Sequence, residues 1–83
     1  MFEIRFTKEA KKDVQKFIPK QKAKLHKILL NVLSNNPYQG KRLVGDLSGF
    51  FSYRLNIKDR IVCSIDENDQ IVYIHRAKTH YGD

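Results

Sequence analysis

Hydrophobic and polar residues alternate along two consecutive segments in the middle of the chain. The segments are Phe51 to Ile57 and Arg60 to Ile65, separated by Lys58 and Asp59. Their apolar positions are Phe51, Tyr53, Leu55 and Ile57 in the first and Ile61, Cys63 and Ile65 in the second. A period of two is typical of strands that bury one face. The pattern therefore predicts a hairpin that reverses at Lys58-Asp59 and buries one of its faces.

The other face of this hairpin carries two arginines, Arg54 and Arg60. Residues directly opposite each other in antiparallel strands share a face. Arg54 and Arg60 therefore share a face only if the turn between the strands holds an odd number of residues. The buried alternation favours an odd turn, of three residues. A sheet face with two arginines is the first candidate for function.

Apolar residues recur at helical spacing in two segments that precede the hairpin. Thr7 is suited to cap the first helix, Pro19 either ends it or begins the second, and Asn35-Asn36-Pro37 ends the second. The apolar positions are Ala10, Val14, Phe17 and Ile18 in the first helix and Leu25, Ile28, Leu29, Val32 and Leu33 in the second. We expect a helical hairpin that covers one face of the sheet.

Two further strands are predicted, Phe2 to Phe6 and Ile71 to Arg76, and residues 37–50 read as a loop because they hold three of the four glycines. The resulting order β-α-α-β-β-β predicts an α+β fold. It has an N-terminal strand, a helical hairpin and a three-stranded antiparallel meander, with the helices on one sheet face. The N-terminal strand is expected to join this sheet, beside a neighbour that the pattern leaves open. At 83 residues, we expect one domain, 1–83.

The chain is strongly basic, with a formal net charge of +7 from 16 Lys and Arg against 9 Asp and Glu. This charge favours a polyanionic or acidic partner. Lysines line the outer face of the predicted helices, at positions 8, 11, 12, 16, 20, 22, 24 and 27, and only Glu9 and Asp13 offset them. An ordinary solvated face and an electrostatic contact with RNA phosphates explain these lysines equally well. No aromatic residues lie among them, so such a contact would be independent of base sequence.

Several functional classes have no support in the sequence. No apolar run approaches the 18 or so residues of a membrane span, and the N-terminus lacks the apolar core of a signal peptide. Cys63, the single cysteine, lies on the predicted buried face and is expected to be a core residue rather than a nucleophile. The histidines His26, His75 and His80 lack zinc-ligand spacing, and there is no nucleotide-binding glycine loop. We expect a cytoplasmic protein without metal or cofactor.

The residues that could carry chemistry are cationic and aromatic: Arg54, Arg60, Arg76, His80 and Tyr81. Arginine donates two parallel hydrogen bonds to phosphate, histidine exchanges protons near neutral pH, and tyrosine stacks on bases. Together they could cleave RNA without a metal. The ribose 2′-OH would attack the adjacent phosphate, arginines would stabilise the added charge, and an acid would protonate the leaving 5′-oxygen. Ordinary surface arginines and an irregular C-terminus are the alternative interpretation.

The chain resembles the Txe/YoeB toxins of the RelE/ParE superfamily of bacterial toxin–antitoxin modules. The resemblance rests on the order of elements, the segment Leu47-Ser48-Gly49-Phe50-Phe51-Ser52, the arginine pair and the ending His80-Tyr81, and it spans essentially the whole chain. It implies a ribosome-dependent endoribonuclease that cuts mRNA and is neutralised by a cognate antitoxin. A homodimer or a toxin–antitoxin hetero-oligomer is the expected assembly.

The resemblance also implies roles for single residues. Arg54 and Arg60 match the strand arginines that contact and stabilise the scissile phosphate. His80 matches a C-terminal histidine proposed as general acid, and Tyr81 the tyrosine that orients or stacks on the substrate base. These four residues are the predicted catalytic set.

Three residues are predicted to bind substrate: Lys41, Phe51 and Arg76. Arg76 lies where RelE-like relatives have another arginine. Lys41 stands where YoeB-type members carry a glutamate proposed as general base, and the nearest carboxylate, Asp46, is five residues further on. The general base is therefore another group, or catalysis depends mainly on electrostatic stabilisation.

Two other functions share the predicted fold and charge. One is a ParE-like toxin that poisons DNA gyrase by binding, and the other is a basic module that contacts only antitoxin and operator. The His80-Tyr81 ending favours the nuclease. An antitoxin segment is expected across the Arg54/Arg60 face, where Val62, Val72 and Ile74 would form an apolar floor.

Overall fold

The computed structural model describes residues 1–79, which have the predicted α+β fold, with two α-helices and a sheet of five strands where four were expected. The strands are β1 (Glu3–Phe6), β2 (Lys41–Arg42), β3 (Phe50–Arg54), β4 (Asp59–Asp66) and β5 (Ile71–Thr79). The helices are α1 (Lys8–Gln15) and α2 (Pro19–Ile28), and α2 continues into a π-helical turn, Leu29–Leu33. No helix in residues 1–79 is long and apolar enough to cross a membrane.

The strands are ordered β1-β5-β4-β3-β2 across the sheet. The β1 strand runs parallel to β5, and every other neighbouring pair is antiparallel. The N-terminal strand therefore joins the sheet beside the last one, which the sequence pattern left open. Both helices pack on one side of the sheet, because residues of each contribute to the same apolar core.

In the first turn of each helix, a side chain that binds the helix N-terminus also contacts the sheet. Thr7 Oγ1 accepts a hydrogen bond from the Ala10 amide (3.2 Å) and donates one to the His75 carbonyl (3.2 Å), so the cap of α1 is tied to β5. Pro19 is the first residue of α2. Gln21 accepts a hydrogen bond from the Ile18 amide and donates one to Asp59 Oδ2 (3.1 Å). The N-terminus of α2 thus lies beside the first residue of β4.

A single apolar core lies between the helices and the sheet. Its buried members are Ala10, Leu25, Leu29, Leu33, Phe51, Tyr53, Leu55, Ile61, Cys63, Val72 and Ile74. Cys63 is fully buried, and burial raises the pKa of its thiol to about 12. Because a neutral thiol is a poor nucleophile, Cys63 acts as the small core residue that the sequence predicted.

The turn between β3 and β4 has an odd length, as predicted, but it begins earlier than expected. The Leu55 amide donates to the Asp59 carbonyl (2.9 Å), which encloses the three residues 56–58. Asn56 Oδ1 accepts hydrogen bonds from the amides of Lys58 (2.9 Å) and Asp59 (2.8 Å) and so forms the turn locally. Two expectations are therefore wrong: Ile57 is 87% exposed, and Asp59 is a buried residue of β4.

Two further boundaries differ from the predictions. The predicted loop 37–50 contains β2, whose two residues pair with Ser52 and Phe51 of β3. The Tyr53 hydroxyl donates to the Pro37 carbonyl, and a Cβ at Gly40 would lie 2.5–2.9 Å from the Tyr53 ring. Only glycine lets this segment approach β3 so closely. The β5 strand also continues past Arg76 to Thr79, because it keeps pairing with β4.

Candidate phosphate-binding face of the sheet

The face of the sheet that points away from the helices, called the open face below, carries polar and aromatic side chains. Alternate residues of β3 and β4 lie on it: Phe50, Ser52, Arg54, Arg60, Val62 and Ser64. Each of these side chains is partly or fully exposed, whereas the residues between them along β3 and β4 are mostly buried. The predicted division of the hairpin into a buried and an open face is therefore confirmed.

Arg54 and Arg60 lie directly opposite each other on the open face. Directly opposed residues have Cβ atoms about 5 Å apart, and like charges in this arrangement are destabilising. Within residues 1–79, no carboxylate lies within ion-pair distance of either guanidinium. The fold therefore holds two cations side by side with no counter-charge among the described residues, an arrangement that favours a bound anion.

A second row of residues, with a basic residue at each end, runs next to the arginine pair. The backbone register aligns Lys41, Ser52, Val62 and Arg76 across four strands. Lys41 therefore shares a face with Arg54, and its side chain is exposed. The predicted substrate-binding lysine lies on the open face, two residues away from the arginine row along the strands.

Arg76 belongs to this row by register, but its guanidinium contacts helix α1. Its Nε donates to Asp13 Oδ2 (2.9 Å) and its Nη2 to Asp13 Oδ1 (3.2 Å). Asp13 also accepts a hydrogen bond from the Ala77 amide (3.1 Å) and is buried. The structure thus gives Arg76 a structural partner and shows that Asp13, read from sequence as part of a lysine-rich surface, joins α1 to β5.

Phe51 does not lie on the open face. Its side chain is buried beneath the helices and packs edge-on against Tyr38, with ring centroids 5.9 Å apart, while the Arg42 guanidinium lies 5.7 Å from its ring centroid. The predicted apolar floor is also mostly absent, because Val72 and Ile74 are fully buried in the core. Of the three predicted floor residues, Val62 alone is on the open face.

An unpredicted residue, His75, lies on the open face next to a β-bulge. The register between β4 and β5 shifts at Val62/Cys63, which leaves His75 without an opposite partner in the ladder. Its imidazole stacks on Phe50, with ring centroids 4.9 Å apart and 10° between the planes. Its Nε2 lies 2.7 Å from Ser64 Oγ. The sequence signal was a three-residue step between the apolar residues Ile74 and Ala77, where a regular strand would step by two.

Burial lowers the pKa of His75 below 6.5, although the nearby Glu9 carboxylate opposes the shift. In the unfolded chain this histidine protonates near 6.5, so between the two pKa values the unfolded state binds more protons. We therefore expect the free energy of unfolding to fall as the pH drops below about 6.5. Urea denaturation at several pH values should show that the free energy of unfolding falls less with decreasing pH in His75→Asn than in the parent. His26→Asn, which removes an exposed imidazole, should behave like the parent, and an unchanged slope in His75→Asn would contradict the assignment.

His80 and Tyr81, the remaining predicted catalytic residues, lie outside the described residues. The backbone register places Thr79 opposite Asp59 and Lys78 opposite Arg60. The last described residues of β5 are therefore at the same end of the sheet as the arginine pair. Among residues 1–79, no group of three or more His, Cys, Asp or Glu residues is placed to hold a metal ion.

The family model for ParE-like toxins of type II bacterial toxin–antitoxin systems matches residues 4–81. The chain belongs to this family. A search of curated protein sequences finds no significant match. Similar solved structures confirm the predicted likeness to YoeB and RelE proteins of the RelE/ParE superfamily.

The RelBE2 toxin–antitoxin complex from Mycobacterium tuberculosis contains a chain that is 31% identical, with a TM-score of 0.86 over 95% of this chain and 91% of that one. The YoeB dimer from Staphylococcus aureus is 30% identical, with a TM-score of 0.76 over 96% and 98%. The YoeB-YefM complex from the same organism is 27% identical, with a TM-score of 0.78 over 98% and 99%. The protein is thus a RelE/YoeB-like toxin of a type II toxin–antitoxin system.

Proposed function

We propose that this toxin is a ribosome-dependent endoribonuclease that cuts mRNA without a metal ion. The observation that carries the proposal is the opposed pair Arg54 and Arg60, which has no counter-charge among the described residues. Keeping like charges together costs stability, so the arrangement is best explained by a ligand that neutralises them. A phosphodiester fits, because each guanidinium can donate two parallel hydrogen bonds to its oxygens.

In the proposed reaction, the ribose 2′-OH attacks the adjacent phosphate, and the bond to the 5′-oxygen breaks. Arg54 and Arg60 stabilise the extra negative charge that the phosphate gains in the transition state. Lys41 adds positive charge from the neighbouring row of the open face. His80 is proposed to protonate the leaving 5′-oxygen, and Tyr81 to orient the substrate base. With lysine at position 41, the proposal assigns no side chain as general base. The 2′-OH proton passes to solvent water, and catalysis depends mainly on electrostatic stabilisation.

The proposed partners are the ribosome with its mRNA and a cognate antitoxin. The similar chains from M. tuberculosis and S. aureus occur in toxin–antitoxin complexes, and S. aureus YoeB also as a dimer. By analogy, we place an antitoxin segment across the open face and expect a hetero-oligomer or a homodimer. All eight lysines on the outer helix face are exposed, which suits an electrostatic contact with ribosomal RNA. A ribosomal target implies action in the cytoplasm.

The test is to express the toxin and map mRNA ends on translating ribosomes. Growth arrest should coincide with new mRNA ends, and His80→Ala should relieve both while the protein remains folded. The second candidate follows from the family description, which is that of ParE-like toxins. A gyrase-poisoning toxin would leave mRNA intact and induce a DNA-damage response. Arrest with intact mRNA would therefore overturn the nuclease proposal.

A further inference from the structure

Phe50 and His75 form a flat pair of rings on the open face, called the ring pair below. The rings are nearly parallel, with 10° between their planes, and both residues are half-buried, so part of each ring is at the surface. Phe50 belongs to β3, the same strand that presents Arg54. Arg54 is four positions further along the strand, which corresponds to about 13 Å. The ring pair and the arginine pair therefore share one face but do not contact each other.

The ring pair is held in place by two features of the fold. His75 shares the open face with Tyr73, which lies opposite Ser64, and the β-bulge leaves His75 without an opposite partner on β4. Ser64, which lies opposite Phe50 on β4, holds the imidazole through its Nε2 at 2.7 Å. Burial lowers the pKa of His75, so the ring is neutral at physiological pH. A neutral ring fixed at one nitrogen is suited to stacking rather than to proton transfer.

We propose that the ring pair is a stacking site for an unpaired base of the RNA whose phosphate lies on Arg54 and Arg60. The inference rests on the proposed nuclease function and adds a second contact to it. Proteins that bind single strands combine a positive path for the backbone with aromatic rings for successive bases, and phenylalanine and histidine both serve as such rings. At about 13 Å from the arginine pair, the base belongs to a nucleotide beyond the scissile one.

A nucleobase suits this surface better than an apolar peptide. The basic positions Lys41, Arg54 and Arg60 lie on the same face, and they would attract a phosphate backbone. The nearest open-face residues of β3 and β4, Ser52 and Ser64, are polar, and Tyr73 of β5, opposite Ser64, carries a hydroxyl on its ring. Beyond the ring pair, the open-face positions of β3 and β4 offer one aliphatic side chain, Val62. An apolar peptide segment would find few other contacts there.

The test is an abasic scan on programmed ribosomes. The mRNA carries a 2′-O-methyl group at the cleavage site, so that it binds without being cut, and one base at a time is removed while the phosphates remain. For the parent toxin, loss of one particular base should weaken binding about 5- to 100-fold. Phe50→Leu should weaken binding of the intact mRNA by a similar factor and abolish the sensitivity at that position. His75→Phe keeps an aromatic ring at this position and should retain the sensitivity to loss of that base.

Ser52→Ala, on the same face and outside the ring pair, is the matched control and should keep the parent profile. If the parent binds and cuts mRNA but Phe50→Leu has the same abasic profile, the stacking site is refuted and the proposed function stands. If Phe50→Leu loses affinity only for an antitoxin peptide, the ring pair serves a protein partner and the inference is overturned. If the parent neither binds nor cuts mRNA, the proposed function fails as well. Thermal melts confirm that each variant is folded before binding is compared.

Discussion

Arg60→Ala and Arg54→Ala are each expected to slow mRNA cleavage about 10²- to 10³-fold and to relieve growth arrest, while the toxin remains folded. The two guanidiniums lie opposite each other on the open face, with no carboxylate of residues 1–79 in ion-pair distance. If they hold one phosphate, each stabilises charge that appears only in the transition state. Their loss should therefore lower the rate of cleavage more than it weakens the binding of mRNA.

Stability provides an independent readout of the same arginine pair. Because opposed like charges are unfavourable, either alanine variant should be as stable as the parent or more stable by about 0.2–1 kcal/mol. A variant that is inactive but no less stable is the expected signature of a functional charge pair. Urea denaturation measures this together with single-turnover cleavage on programmed ribosomes.

Two further variants separate charge from geometry. Arg60→Lys keeps the charge but loses the planar pair of donors, so an intermediate rate is expected. Lys27→Ala removes an equal charge from the outer face of α2, where the proposal places only ribosome binding, and should leave the rate of cleavage by ribosome-bound toxin unchanged. Parent-like cleavage by both alanine variants would show that the arginine pair is not the catalytic anion site.

The elements of this fold that local pattern determines were predicted well. In a strand, side chains alternate between the faces with a period of two, so the alternation from Phe51 to Leu55 and from Ile61 to Cys63 was enough to favour one shared face for Arg54 and Arg60. Their direct opposition is a finding of the structure. The end of β3 was misjudged because Asn56 forms the turn through its own side chain. The two-residue strand β2 has no periodicity of its own. It forms because Gly40 and Tyr53 allow this segment to pack on β3.

The parts of the site that were missed depend on contacts between distant residues. Val72 and Ile74 were expected on the same face as Arg76, but a bulge in β5 interrupts the alternation between them, so His75 lies on the open face instead. No pattern near His75 in the sequence indicates its stacking on Phe50. Arg76 was predicted to bind substrate, yet its guanidinium contacts Asp13, which is 63 residues away in the chain. Patterns of charge describe which residues are ionised, whereas the pairing of these charges is decided by how α1 packs against β5.

Asp13→Asn is expected to destabilise the toxin by about 2–3 kcal/mol, which lowers the melting temperature by roughly 10–20 °C. Asp13 is buried and accepts hydrogen bonds from two nitrogens of the Arg76 guanidinium and from the Ala77 amide. Asparagine replaces one carboxylate oxygen with an NH₂ group. This group cannot accept a hydrogen bond, and it repels the N–H donor that the oxygen bound. The loss is large for a chain of this length, whose total stability is about 4–12 kcal/mol.

A double-mutant cycle with Arg76→Met attributes this loss to the ion pair. The Arg76 side chain is 37% exposed, so part of its charge is solvated without Asp13, and Arg76→Met alone should cost less than Asp13→Asn. If the two side chains stabilise each other, the double variant will be less destabilised than the sum of the single ones, by about 0.5–3 kcal/mol. Glu9→Gln, which removes an exposed carboxylate from the same helix, should cost less than about 1 kcal/mol. Strict additivity in the cycle would show that the Arg76 ion pair does not contribute to the loss. An equal loss in Glu9→Gln would show that Asp13 contributes only charge to a lysine-rich helix.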